Sequence, residues 1–289
     1  MLEPRQLFKT SSDFSNRLLA LSDCPLSIDI VGNIIPQDNL SIAIVGSRKM
    51  SSYGKEVVHD IVSALAPYKV TVVSGLMYGV DMEAHKMALS CNLRTIGILG
   101  FGFDYLYKVP DEQVVNSIVN RGLGAVISEF KRGEAPAPWT FPKRDRIISA
   151  LGSIILVVEA GERSGTAYTV TSALQLGKEV LAVPGSIYSE VSIGCNRLIE
   201  DGARIVKSPQ DVLKALGLTG DGSGQITILN SPVSKEEELV LKFLDQTGIF
   251  VDDIIAGTGM ASGVVLSSLV SLEMKGLVRD LGNGIYRKV

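Results

Sequence analysis

Seven short apolar runs recur along the chain, at residues 42–45 (IAIV), 70–73 (VTVV), 95–99 (TIGIL), 125–127 (AVI), 154–158 (IILVV), 180–183 (VLAV) and 204–206 (RIV). After each comes a small-residue turn, and then a stretch whose apolar positions follow helical spacing. A strand open to water on one face alternates apolar with polar positions. These runs are nearly continuous, so both of their faces are covered. Helices alternating with such strands supply that cover in a doubly wound, mostly parallel sheet. The pattern predicts an α/β, extended Rossmann-like domain over residues 41–217. Residues 1–40 carry too little material for a domain of their own and are expected as a lead-in packed on that sheet.

The pattern changes after Gly217. Residues 218–234 are rich in Gly, Ser and Asp, which reads as a linker. Residues 235–289 then predict helices over 235–246, 251–258 and 261–275, and a hairpin turning at Asn283-Gly284, a pair suited to a two-residue turn. Three helices and a hairpin make a small winged-helix domain.

Composition narrows the function classes. The chain has 289 residues, 46% of them hydrophobic, and its mean hydropathy is +0.26. No apolar run reaches the roughly 18–20 residues that span a bilayer. The first residues, MLEPRQLFKTSSDF, lack the apolar core of a secretory signal, so a cytoplasmic protein without membrane contact is expected. Cys24, Cys91 and Cys195 are scattered and odd in number, which favours reduced thiols over disulfides or a zinc cluster. A formal net charge of −3 means that any anion site is local.

In open α/β sheets, ligands bind beyond the carboxyl ends of the strands. The residues there are Gly46-Ser47-Arg48, Ser74-Gly75, Gly100-Phe101-Gly102, Ser128-Glu129, Glu159-Ala160-Gly161 and Pro184-Gly185-Ser186. Glycines fit tight turns, and they also let a ligand approach the backbone. The first turn reads GSRKMS, which is not a dinucleotide fingerprint. Gly54-Lys55 and Gly177-Lys178 are each followed by Glu where a phosphate-binding loop needs Ser or Thr. No nicotinamide or ATP cofactor, and no metal, is expected. Ser164, Gly165 and Thr166 either cradle a phosphate with free amides and hydroxyls or begin a helix with Ser164 as its N-cap. Asp81 and His85 stand one helical turn apart, and a capping Asp with an ordinary His is preferred to a catalytic or metal pair. No nucleophile, base and orienting-acid constellation can be assembled, so no catalytic residue is assigned.

Residues 131–146 hold Lys131, Arg132, Lys143, Arg144 and Arg146 against Glu134 and Asp145, with Phe130 just before them and Trp139 and Phe141 interleaved. Cations that track phosphates beside aromatic rings that stack on bases suit a single strand of nucleic acid. The other reading pairs Arg144 and Arg146 with Asp145 or Glu129 and buries the rings.

The order and spacing of eight stretches resemble the DprA (Smf) family of bacterial DNA-processing proteins. They are IVGSR (44–48) with Tyr53-Gly54, SGLMYGVDMEAH (74–85), GFGFDYLY (100–107), ISE (127–129), FPKRDRIISALG (141–152), VVEAGERSGT (157–166), AVPGS (182–186) and GCNRLIEDGA (194–203). The resemblance implies a non-enzymatic recombination mediator of natural transformation. Such a protein binds and protects incoming single-stranded DNA, forms a homodimer through the Rossmann-like domain and loads the recombinase RecA. It places DNA contacts at Ser47, Arg48, Phe141, Lys143, Arg144, Arg146, Ser164, Gly165 and Thr166, with Asn196 shaping the pocket. Charge reversal at Arg48 with Arg144 is then expected to abolish binding and spare the fold.

Three positions depart from the family pattern: Asp145 where Asn is usual, Met77 for Ala, and Pro110 displaced from its place after Tyr107. An alternative is a nucleotide-hydrolysing enzyme resembling phosphoribohydrolases, with Glu159 or Glu129 as its acid. Their P-G-G-x-G-T-x-x-E motif is not reproduced, since Thr169 stands where the glutamate belongs. The 235–289 segment holds six cations against eight acids, and ASGVVLSSLVSLEMK offers almost no base-reading side chain. An accessory or protein-contacting role is expected for it.

Overall fold

A computed structural model describes residues 3–162, 164–218, 234–245, 247–274, 277–282 and 284–288, with the side chain of residue 274 left out. Most of the linker stretch and Asn283 of the hairpin turn therefore lie outside the described residues. The chain divides into two compact units, Met1–Gly220 and Asp221–Val289.

Through its first half, unit one runs β1 (Arg5–Phe8), α1 (Asn16–Leu19), β2 (Ser27–Gly32), β3 (Ser41–Val45), α2 (Ser52–Leu65), β4 (Thr71–Gly75), α3 (Val80–Ser90), β5 (Thr95–Ile98), α4 (Glu112–Asn120) and β6 (Gly124–Ser128). It continues with α5 (Thr140–Leu151), β7 (Ile154–Val157), α6 (Thr166–Gln175), β8 (Val180–Ala182), α7 (Ile193–Glu200), β9 (Arg204–Ile205) and α8 (Pro209–Ala215). The described strands form one sheet in the order β1-β2-β6-β5-β4-β3-β7-β8-β9. From β6 to β9 every pairing is parallel.

The seven apolar runs are the seven parallel strands, and alternate residues of one strand feed opposite cores. Ile42 and Ile44 of β3 pack with Val58, Ile61, Val62 and Leu65 of α2 and with Val80 and Ala84 of α3. Ala43 and Val45 of the same strand pack with Ile147, Ile148 and Leu151 of α5 and with Val170 and Ala173 of α6. Burial on both faces is why these runs show no polar alternation.

The lead-in does more than pack on the sheet. β2 pairs antiparallel with β6, from Asp29 opposite Ser128 to Gly32 opposite Ala125, and β1 pairs antiparallel with β2. Ile28 and Ile30 are buried while Ser27 and Asp29 are not, the alternation of a strand near a sheet edge.

The C-terminal end of α5 is fixed by two cations. Lys178 Nζ donates to the carbonyls of Ser149, Ala150 and Gly152, and Arg17 donates to that of Leu151. Positive charge at the last carbonyls satisfies groups the helix cannot pair itself and complements its dipole.

Unit two holds α9 (Lys235–Phe243), β10 (Ile249–Phe250), α10 (Val251–Thr258), α11 (Ser262–Met274), β11 (Val278–Gly282) and β12 (Ile285–Lys288). Ser234 and Glu237 form a reciprocal cap at the start of α9, and Gly259, at φ +65°, ends α10. Val240, Leu244, Ile254, Val265, Leu269, Leu272 and Val278 make its core. The predicted elements are present as a winged helix, although α9 stops at Phe243 rather than 246. Among the described residues no single helix is long and apolar enough to cross a membrane.

Candidate functional site

In the strand order, β3 sits where the chain reverses direction: β4, β5 and β6 extend one way, and β7, β8 and β9 the other. The loops after β3 and β7 therefore diverge to opposite faces and open a crevice at the carboxyl edge. A cleft of about 1030 Å³ lies there, lined by residues 47–49 after β3, Met77, Tyr78 and Asp81 after β4, parts of the 136–148 stretch, and parts of 161–169 after β7. Gly79 holds two of these loops together. Its φ is +79°, and a Cβ there would sit 2.1 Å from the Ser47 carbonyl oxygen. The Val80 amide donates to that same oxygen at 3.2 Å.

Ser47, Arg48, Phe141, Arg144, Ser164, Gly165 and Thr166 all line this cleft. Arg48 is exposed, its guanidinium lies 5.2 Å from the centroid of the Phe141 ring, and it forms no ion pair among the described residues. Lys49, which the sequence reading passed over, is exposed beside it and lines the same cleft; adjacency to Arg48 was its available signal. Ser47 Oγ accepts from the Lys49 amide at 3.0 Å, which sets the turn carrying both cations.

The cations of 143–146 do not form one open cluster. Helical geometry places Phe141, Arg144, Asp145 and Ile148 on one face of α5, turned to the cleft, and Lys143 and Arg146 on the other. Lys143 Nζ lies 3.5 Å from Glu129 Oε2, and Arg146 Nη2 lies 2.5 Å from the same oxygen. Arg146 Nε is also 2.9 Å from Asp23 Oδ2. Arg144 is only 4% exposed, with Nε 2.9 Å from Asp145 Oδ1 and Nη1 donating to the Ile98 carbonyl at 2.7 Å. Gly75 makes room for it, since a Cβ there would meet Nη1 at 2.1 Å. Arg144 is thus part of the cleft floor, and reversing its charge would not spare the fold. Asp145 neutralises the cation beside it. Phe130 is buried, whereas Trp139 is exposed with its ring edge-on to Phe130, the centroids 6.0 Å apart.

Asn196 stands apart from the cleft lining. Its side chain donates to the Gly185 carbonyl and accepts from the Gly185 amide, bracing the loop after β8. The N-cap of α6 is Gly165, while Ser164 Oγ accepts from the Thr166 amide at 3.3 Å.

The acids have settled roles. Glu159 accepts from the amide and hydroxyl of Ser51, the N-cap of α2, and Glu129 is held by Lys143 and Arg146. Neither lines the cleft. The expected capping role of Asp81 does not hold, because Gly79 occupies the N-cap of α3 and Asp81 turns into the cleft. Burial pushes the Asp81 carboxyl up to about 7, opposed by Arg144 and reinforced by Asp145. Burial likewise raises Asp145 and is opposed by Arg144. His85 is buried with Nδ1 2.7 Å from Thr95 Oγ1, and burial lowers it to about 4, so it is neutral at pH 7.

Asp81 makes stability pH-dependent. A folded pKa of about 7, above the unfolded value near 4, means that the folded state holds the proton more tightly. That contribution is complete below about pH 4 and is lost as pH rises through about 7. Wild type is expected to lose roughly 1 kcal/mol between pH 6 and 8 through this group. Asp81→Asn should flatten the slope, as urea denaturation of both proteins at pH 6, 7 and 8 would read directly.

The model of the DNA recombination-mediator protein A family matches residues 5–217, and that of the DprA winged helix domain matches residues 229–284. Protein Smf of Escherichia coli is 34% identical over 284 residues, covering 96% of this chain and 75% of that protein. DNA processing protein DprA of Streptococcus pneumoniae is 38% identical over 196 residues, 68% of each chain. The chain spans 61% of the length of a DprA relative from Mycobacterium tuberculosis, at 35% identity. Among solved structures, the S. pneumoniae DprA superposes with a TM-score of 0.68 at 34% identity, covering 73% of this chain and 74% of that one. DNA processing protein A of Helicobacter pylori, whose structure concerns its single-stranded DNA binding mode, superposes with a TM-score of 0.66 at 25% identity, covering 74% of this chain and 96% of that one. With both of its units matched in this way, the chain belongs to the DNA recombination-mediator protein A family.

Proposed function

We propose that this chain is a recombination mediator that binds single-stranded DNA in the cleft beyond β3 and β7. The observation that carries this is the open cation pair Arg48-Lys49 in the cleft, with Arg48 set against the Phe141 ring: charge for phosphates beside an aromatic surface for bases. The Ser164-Gly165-Thr166 turn supplies further polar contacts across the cleft. In this reading Lys143 and Arg146 hold α5 in place, and Asn196 braces the loop after β8. The protein works in the cytoplasm as a homodimer, protects DNA entering during natural transformation and passes it to RecA without chemistry of its own. Unit two is an accessory module, because α11 exposes Val264, Leu266 and Val270 rather than base-reading donors.

The two glutamates that a nucleotide-hydrolysing reading would use as its acid, Glu129 and Glu159, are committed to structural partners away from the cleft. Anisotropy titrations with single- and double-stranded oligonucleotides of equal length, at about 50 and 200 mM salt, test the proposal. Single strands should bind more tightly, with affinity falling steeply with salt. Equal binding of duplex, or release of free base from nucleoside monophosphates, would reject it.

A further inference from the structure

Two tyrosines stand exposed in the cleft. Tyr78, on the turn between β4 and α3, is 60% exposed, and Tyr168, on the first turn of α6, is 57% exposed. Both line the cleft that holds Arg48 and Phe141. Neither has a hydrogen-bond or ring partner among the described residues. Tyr53, by contrast, is tied down through its hydroxyl to the Pro184 carbonyl at 2.8 Å.

Their backbones, unlike their rings, are fixed. Tyr78 precedes Gly79, which is pressed against the Ser47 carbonyl, so its turn is clamped to the loop that carries Arg48. Tyr168 donates its amide to the Gly165 carbonyl at 3.2 Å and sits between buried Thr166 and Thr169. Single exposed tyrosines on a surface need no explanation. Two on rigid supports in one cation-bearing cleft, one on the turn after β4 and one on the first turn of α6, form a platform for planar ligands. Bases of a single strand present such faces, whereas in a duplex they are stacked and covered.

We infer that Tyr78 and Tyr168 are base-stacking residues that give the cleft its preference for unpaired bases. This rests on the single-stranded DNA reading above: the cations hold phosphates of either form, and the tyrosines require free bases. The full-length protein is titrated with an oligothymidine and with an abasic oligomer of the same length, which keeps the phosphates and lacks the bases. Tyr78→Ala and Tyr168→Ala should each weaken oligothymidine binding about tenfold, a loss of ~1.4 kcal/mol. They should leave binding to the abasic oligomer unchanged, and the Tyr→Phe variants should bind oligothymidine like wild type. The inference is overturned if the alanine variants bind oligothymidine normally, if they weaken both ligands equally, or if wild type binds the two ligands alike. In each of these cases wild-type binding of oligothymidine itself still supports the mediator reading. That reading, and this inference with it, fails if wild type binds no single strand at all.

Discussion

Replacing Arg48 and Lys49 together with glutamate is expected to weaken single-stranded DNA binding by about 100-fold or more while leaving thermal stability unchanged. Both side chains are exposed and neither forms an ion pair among the described residues, so reversing them breaks no salt bridge; inside the protein Arg48 gives up its contact with the Phe141 ring and a solvent-screened attraction to Asp81 and Asp145. Hydrogen bonds to charged groups contribute about 1.5–3 kcal/mol each, and losing two of them amounts to at least ~3 kcal/mol. The dependence of log affinity on log salt should also become shallower by about two units, one per phosphate contact removed. Lys143→Glu is the internal comparison. Its ammonium lies on the far face of α5 beside Glu129, so its effect on binding should be several-fold at most. Anisotropy titrations across salt concentrations, with a thermal melt of each variant, check both statements. Normal binding by the Arg48/Lys49 variant would remove the cleft from the account of function.

The parallel strands were legible in the sequence because burial on both faces leaves an unbroken apolar run. β1 and β2 were not, because a strand near a sheet edge keeps one polar face, and SIDI reads as easily as loop. The place of the cleft was also legible, since the residues just after β3 and β7 must flank the crevice. The state of each cation there was not. Lys143, Arg144 and Arg146 are neighbours in sequence, yet α5 turns Arg144 inward and the other two away. Their partners also come from elsewhere in the chain: Asp23 belongs to the lead-in, and Glu129 follows β6. Asp145 shows the opposite case. Its carboxylate, where the family usually has an amide, stood among the possible partners of Arg144 and Arg146, and local spacing alone brings it onto Arg144. Tyr78 and Tyr168 escaped notice because an isolated tyrosine carries no pattern; only their exposure in a shared cleft distinguishes them.

Arg144→Met should cost about 3–5 kcal/mol of stability, the range for removing one partner of a buried ion pair. The arginine is almost wholly buried, bonded to Asp145 and to the Ile98 carbonyl, and it is the stronger of the two cations, with Arg48, that oppose the raised pKa values of Asp81 and Asp145. Without it, two buried carboxyl groups keep only the exposed Arg48 as a positive neighbour, and the Ile98 carbonyl loses its donor. The size of the loss should depend on pH. Below about 7 Asp81 takes up a proton and no longer needs compensation, so the defect should be smaller at pH 5.5 than at pH 8. Combining Arg144→Met with Asp145→Asn should recover part of the loss, because the second change removes the charge that the first one strands. Trp139, the single tryptophan, lies one residue before α5 and reports unfolding by fluorescence. Urea midpoints for the four proteins of this cycle, at both pH values, give the coupling directly. A single variant as stable as wild type would mean that the guanidinium is free of its partners in solution, and Arg144 would then return to the set of side chains available to a DNA strand.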